Sequence, residues 1–210
     1  MSITQSSYIS NSLLDRKPNK SNVLRPPFDA IDFEADDING NRIKLSDYKG
    51  RGVLLCFLRN TDRPLRNQRL LELTRKYKEW SKIGVEVIVI FNETNTTLRT
   101  LLEAKPRPFP VIADPKLKLH REYGVQRLIG KGVVAPTNLP SPGWLNRLFR
   151  GNFAWLNPTG RIMPADFLIN TEGKIISSWY GQSEHDYIPN ERLETFAIAT
   201  RIAVRKLEKR

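Results

Sequence analysis

Few residues in this chain can do covalent chemistry, and sulfur chemistry is limited to one of them, the single cysteine Cys56. One thiol per chain cannot form an intramolecular disulfide, a dithiol redox couple or an all-cysteine metal site. Cys56 also sits inside the apolar run Val53-Leu-Leu-Cys-Phe-Leu58, where a neutral thiol behaves as a small hydrophobe. A core role is predicted for it. The two histidines, His120 and His185, are far apart and have no cysteine cluster to join them. Surface or hydrogen-bonded structural roles are predicted for both, and no metal site is expected. The sequence has no Gly-rich phosphate loop, no Gly-x-Ser-x-Gly elbow and no zinc-finger spacing, so no cofactor is expected either.

A second group of residues points to recognition. In Pro140-Ser-Pro-Gly-Trp-Leu-Asn-Arg-Leu-Phe-Arg-Gly-Asn-Phe-Ala-Trp155, aromatic and aliphatic residues interleave with Arg147 and Arg150. This pattern reads as a short amphipathic insert with a basic edge. Trp144, Phe149, Arg150 and Trp155 are its partner-docking candidates. A lid over a site, packing on its own domain and an interfacial membrane helix are the other uses open to it. The last is least favoured, because the helical stretch is brief and bounded by Pro and Gly.

The charge balance agrees with a recognition role. The 210 residues include 34 Lys and Arg against 22 Asp and Glu, a net charge of +12. The excess is concentrated in residues 59–82, 127–161 and 201–210. Such a field favours an acidic partner, whether nucleic acid, an anionic membrane face or an acidic protein. Nucleic acid is the less favoured because no recognisable binding motif is present. No apolar run approaches the roughly 18 residues of a transmembrane helix, so the chain is expected to be soluble, in the cytoplasm or in a soluble compartment of an organelle.

The hydrophobic content of 40% is enough for one globular core at this length, which excludes wholesale disorder. Residues 1–27, rich in Ser and Asn and without the apolar core of a secretory signal, are expected to form a flexible arm. Tyr8, Ile9, Leu13 and Leu14 give that arm a docking patch. Residues 28–210 are expected to form one domain with an insertion at 126–161.

The elements that must position these residues follow from periodicity. Residues 33–45 predict two short strands around Asn39-Gly40, a strong hairpin signal. The continuous apolar run Val53–Leu58 predicts a strand buried on both faces of a parallel sheet, and Val85-Glu-Val-Ile-Val-Ile-Phe91 the next buried strand. Leu70, Leu73, Tyr77 and Trp80 predict an amphipathic helix over about 64–82, and a second helix is predicted over 94–104. A short strand is predicted at Phe109–Ala113, followed by a helix capped by Asp114-Pro115 and running to about Tyr123. Residues 125–160 show no periodicity. A second hairpin is predicted from Asp166–Asn170 and Lys174–Tyr180, and a closing helix from about Asn190, read as its cap, with Leu193, Phe196, Ala197, Thr200, Val204 and Leu207 on one face. The order gives a thioredoxin-like α/β plan, with a central mixed sheet flanked by helices and an N-terminal hairpin.

On these residues the sequence resembles the alkyl-hydroperoxide-reductase/thiol-specific-antioxidant branch of the thioredoxin superfamily, the peroxiredoxin-like proteins. The resemblance spans roughly residues 28–200. It is carried by Leu45-Ser-Asp-Tyr-Lys-Gly50, the strand Val53 to Arg59, Phe109-Pro-Val-Ile-Ala-Asp-Pro115 with Tyr123-Gly-Val125, and Met163-Pro-Ala-Asp-Phe-Leu-Ile-Asn-Thr-Glu-Gly-Lys-Ile175. In such relatives the strand is followed by an arginine and then Cys-Pro-aromatic-Cys at a helix start, where the helix terminus lowers a thiol pKa. Here Arg59 matches the arginine and Pro64 the proline, but both cysteine positions hold arginine, so the segment reads Arg63-Pro64-Leu65-Arg66. The resemblance is to thiol peroxidases, whereas arginine is neither a nucleophile nor an electron carrier at neutral pH. Pro164 matches the usually cis proline that faces the site in thioredoxin-like proteins, where it would shape a pocket; a plain strand-entry proline is the alternative.

A helix start that suits a thiolate also suits other anions, because its free N–H groups and positive end point outward. Arg59, Arg63 and Arg66 would add bidentate donors for carboxylate or phosphate. The other reading is a solvated helix start in which Asp62 quenches the arginines. The expectation is therefore a redox-inactive, peroxiredoxin-like binding or assembly module for an acidic protein or protein complex. The alternative is thiol-dependent antioxidant activity through a degenerate site.

Overall fold

A computed structural model describes residues 28–58, 68–103, 106–129, 133–136 and 162–209. The two long apolar runs form adjacent parallel strands, β4 (Gly52–Leu58) and β5 (Val85–Phe91), buried at every position. Short β6 (Val111–Ala113) extends the sheet in parallel beyond β5. On the other side of β4 lie β9 (Ala165–Ile169), then β10 (Lys174–Tyr180), then β1 (Phe28–Asp29), each antiparallel to its neighbour. The six-stranded order is β1-β10-β9-β4-β5-β6. Central position explains the near-continuous hydrophobicity of β4 and β5, interrupted only by Glu86 near the start of β5: both faces of each strand meet a packed layer, so the sequence alternation of a one-sided strand is lost.

Alternate residues of β4 serve two cores. Leu54, Cys56 and Leu58 join Leu70, Leu73 and Trp80 of α1 (Gln68–Lys82), Leu98 and Leu102 of α2 (Asn95–Leu102), and Leu193, Phe196 and Ala197 of α4 (Asn190–Glu208). Val53, Leu55 and Phe57 face Phe33, Ile43, Leu119 and Tyr123 on the opposite side. Burying each such aliphatic or aromatic side chain contributes about 1.5–3 kcal/mol, so this strand is the main anchor of both layers.

The predicted N-terminal hairpin is present as β2 (Glu34–Asp36) and β3 (Arg42–Lys44). Its loop is longer than the two-residue turn that Asn39-Gly40 favours, because Asp37 organises it: Oδ1 accepts the N–H groups of Asn39 and Asn41, both at 2.8 Å. Gly40, at φ 88°, supplies the left-handed residue of that loop. Thr94 caps α2, its hydroxyl accepting from the N–H of Thr97 at 3.2 Å.

Three local readings are corrected. The cap residue of α3 (Lys118–Glu122) is the left-handed Leu117 (φ 54°) and not Asp114, whose side chain instead reaches over that turn to accept from the N–H groups of Lys118 and His120. Asn190 is the first residue of α4 and not its cap, which is Pro189. Within the stretch read as aperiodic, β7 (Gln126–Ile129) and β8 (Val133–Pro136) pair antiparallel, two strands that the reading did not include. Gln-Arg-Leu-Ile and Val-Val-Ala-Pro carry no alternation of apolar and polar residues, so a periodicity reading does not find them.

Candidate functional site

The C-terminal end of β4, the start of α1 and the start of β9 converge. Residues 59–67, which join β4 to α1 and include Arg59, Arg63, Pro64, Leu65 and Arg66, lie outside the described residues. So do the docking candidates Trp144, Phe149, Arg150 and Trp155, and the N-terminal arm. Pro164 is described and buried. It precedes Ala165, which pairs with Phe57 near the end of β4, so the register brings this proline beside the point where the 59–67 segment begins. Its carbonyl accepts the N–H of Gly181 at 2.8 Å.

Cys56 is fully buried, as its apolar neighbours predict. Its surroundings are not apolar throughout. Directly across the β4–β9 ladder stands Asp166, and opposed residues of an antiparallel pair project from the same face. Asp166 is itself buried, and its Oδ2 accepts from Arg69 Nη2 at 3.2 Å and from the N–H of Ile188 at 2.9 Å. Arg69, on the first turn of α1, is 2% exposed; it also donates to Glu72 at 3.4 Å and lies over the Tyr187 ring, 5.3 Å from its centroid. One carboxylate thus ties together α1, β9 and the segment leading into α4.

Among the described residues, Arg69 Nε and Asp166 Oδ1 have no hydrogen-bond partner. The Cys56 thiol is pushed well above its ordinary range, first by burial and then by the Asp166 carboxylate, with Arg69 opposing. Such a thiol stays protonated at neutral pH, and the thiolate is the nucleophilic form. Arg69 and Asp166 were missed by sequence reasoning. The one signal available was an aspartate placed between Ala165 and the apolar run Phe167-Leu-Ile169, where an unpaired carboxylate would be costly and a buried cation is the usual remedy.

His120 takes the hydrogen-bonded structural role predicted for it. It is fully buried, Nδ1 lies 2.7 Å from Asp114 Oδ2, and the ring stands edge-on to Phe57 at 5.0 Å between centroids. Burial lowers its pKa against the opposing pull of Asp114, so the ring is held neutral; the same pair and the backbone N–H groups of Lys118 and His120 hold Asp114 below its ordinary value despite burial. With Nδ1–H donating to the carboxylate, Nε2 has no partner among the described residues. His185 lies in the exposed loop before α4. No group of three or more His, Cys, Asp and Glu among the described residues is placed to hold a metal ion.

The AhpC/TSA family model matches residues 28–178. This chain belongs to the AhpC/TSA family. Among curated proteins it is 26% identical to the thiol-disulfide oxidoreductase ResA of Bacillus subtilis over 165 residues, covering 76% of this chain and 72% of ResA. It is 33% identical to ResA of Bacillus thuringiensis over 100 residues, 46% of this chain and 56% of that protein. Among solved structures, the peroxidoxin BcpB of Mycobacterium tuberculosis superposes with a TM-score of 0.54 at 17% identity, covering 86% of this chain and 96% of BcpB. That likeness establishes the thioredoxin-like fold. No described helix is long and apolar enough to cross a membrane.

Proposed function

We propose that this AhpC/TSA-family protein works without thiol redox chemistry, as a binding or assembly module for an acidic protein. The observation that carries the reading is the state of its one sulfur: Cys56 is sealed in the core beside a buried ion pair, with its pKa driven upward. The sequence resemblance matches Arg63 and Arg66 to the family's site cysteines, which supports the reading. In this reading Arg59, Arg63 and Arg66 at the start of the α1 segment receive a carboxylate or phosphate, Pro164 shapes the floor of that pocket, and Trp144, Phe149, Arg150 and Trp155 supply apolar contact. The net charge of +12 selects acidic surfaces. A fold that needs neither a disulfide nor a metal is compatible with the cytoplasm, the location included in the reading.

A second reading keeps the family's chemistry. Arg69 adjoins the thiol and works to lower its pKa, so a local opening that exposed Cys56 while leaving Arg69 in place would yield a more reactive sulfur. Peroxide consumption with thioredoxin or glutathione reductant separates the two. The module predicts no turnover above background and none lost in Cys56→Ser. Turnover abolished by that substitution would establish the enzyme. Retention of an acidic complex from native cells, weakened in Arg63→Ala/Arg66→Ala, tests the pocket itself.

A further inference from the structure

We propose that the outer face of α4 is a docking surface for an acidic amphipathic segment of a separate protein, a proposal that rests on the module reading and names one of its contact faces. Leu193, Phe196, Ala197 and Thr200 bury one side of α4 against the sheet. At about 100° per residue, Ile198, Ile202, Arg205 and Lys209 fall in one stripe about 60° wide on the opposite side. Ile198 is 63% exposed and Ile202 52%. Two isoleucines one turn apart, facing away from their own core, leave apolar area that the domain does not use. Leu207, also exposed, lies on the sheet-side half of the helix and is not part of the stripe.

Charge identifies the occupant. Arg201 and Lys206 flank the stripe, and with Arg205 and Lys209 they are exposed; among the described residues none of the four is in an ion pair. Glu208 is the only acid from Arg201 to the end of the chain. Glu191, seven positions before Ile198, lies in the same stripe, so an antiparallel second copy would set it against Lys209, but it would leave Arg201 and Arg205 without a carboxylate, Glu194 being paired with Lys76. The chain's own segments outside the described residues cannot complement the stripe either: they contain Asp15 and Asp62 as their only acids, and Lys and Arg outnumber these several-fold. The complement is therefore external, and it combines apolar side chains one helical turn apart with clustered carboxylates, so that the apolar residues cover Ile198 and Ile202 while the carboxylates meet the cations.

The test is fluorescence anisotropy of the full chain with a labelled helical peptide carrying two leucines four residues apart among glutamates. A scrambled peptide of the same composition and vesicles of anionic lipid serve as comparisons. Binding of the ordered peptide is expected to weaken about tenfold or more in Ile198→Ser/Ile202→Ser and to be lost in Arg205→Glu/Lys209→Glu, with the melting temperature unchanged in both, since these side chains face solvent. Peptide binding that neither variant alters would overturn the surface and leave the module reading standing, its contacts lying elsewhere. No binding by the unaltered chain, or equal binding of the scrambled peptide, would overturn the proposal as well. Isoleucine-dependent binding of vesicles in place of the peptide would reassign the face to a membrane. Peroxide turnover, which tests the module reading, is independent of all these outcomes.

Discussion

Cys56 and Asp166 face each other across the β4–β9 ladder, both fully buried. The relationship sets the chemistry of the chain's one thiol. A cysteine surrounded only by leucine and valine would be protonated because of burial. A cysteine opposite a carboxylate is protonated for a second reason, since a thiolate there would face a like charge in a medium that screens poorly. Arg69 makes the carboxylate tolerable and moderates its effect on the sulfur. The pair on which the thiol's state depends is therefore also the pair that fastens α1 to the sheet.

Native Cys56 is expected to react with an alkylating reagent far more slowly than the unfolded chain does, because the sulfur is both inaccessible and protonated. Rates measured in buffer and in urea at the same pH check this. Equal rates would show that the core opens readily around β4.

Asp166→Asn is expected to destabilise the fold by about 3–5 kcal/mol, because Arg69 is left buried and charged with only the longer, more exposed contact to Glu72. The double substitution Arg69→Met/Asp166→Leu is expected to recover much of that loss, since it removes both desolvated charges while filling the space. Chemical denaturation of the three proteins measures the coupling. A double variant showing the sum of the single losses would mean that the two groups do not act as a pair.

Acid should weaken the fold in two stages. His120 has a folded pKa below the ordinary 6.5, so the unfolded chain binds its proton first, and stability falls as pH drops through and below 6.5. Asp114 has a folded pKa below 3.8, so its contribution is complete above that value and is lost at still lower pH. Unfolding free energies measured from neutral pH downward should show the first slope, and His120→Gln should flatten it. Stability that rose on mild acidification would mean that the pair is held as an imidazolium–carboxylate ion pair.

Gly181→Ala is expected to cost about 1–3 kcal/mol through overpacking. A Cβ there would lie 2.4 Å from the Asp186 carbonyl oxygen and 2.7 Å from Pro164 Cγ, so the loop before α4 or the entry to β9 must shift. Thermal melts of the variant and the unaltered chain give the comparison. An unchanged melting temperature in Gly181→Ala would contradict the close packing of this loop on Pro164.

The apolar run Val53–Leu58 and the nearly apolar Val85–Phe91 declared β4 and β5 and their central place, because only a strand covered on both faces loses its alternation. The 3/4 spacing of Leu70, Leu73, Tyr77 and Trp80 declared α1, and the count of one cysteine excluded an intramolecular disulfide before any coordinates. All of this is local information, carried by period and residue type. The tertiary structure decided what is not local. Arg69 meets Asp166 across 97 positions of sequence, and nothing in either neighbourhood names the other. The antiparallel register puts Asp166, and not Ala165 or Phe167, opposite Cys56; a slip of one residue would turn that carboxylate to the other face of the sheet. Likewise, the pattern of α4 identified the side that packs, but only the docked helix shows that Ile198 and Ile202 are left outside. Periodicity says which residues share a face. Which faces meet, and which charges are buried together, depends on how the layers close.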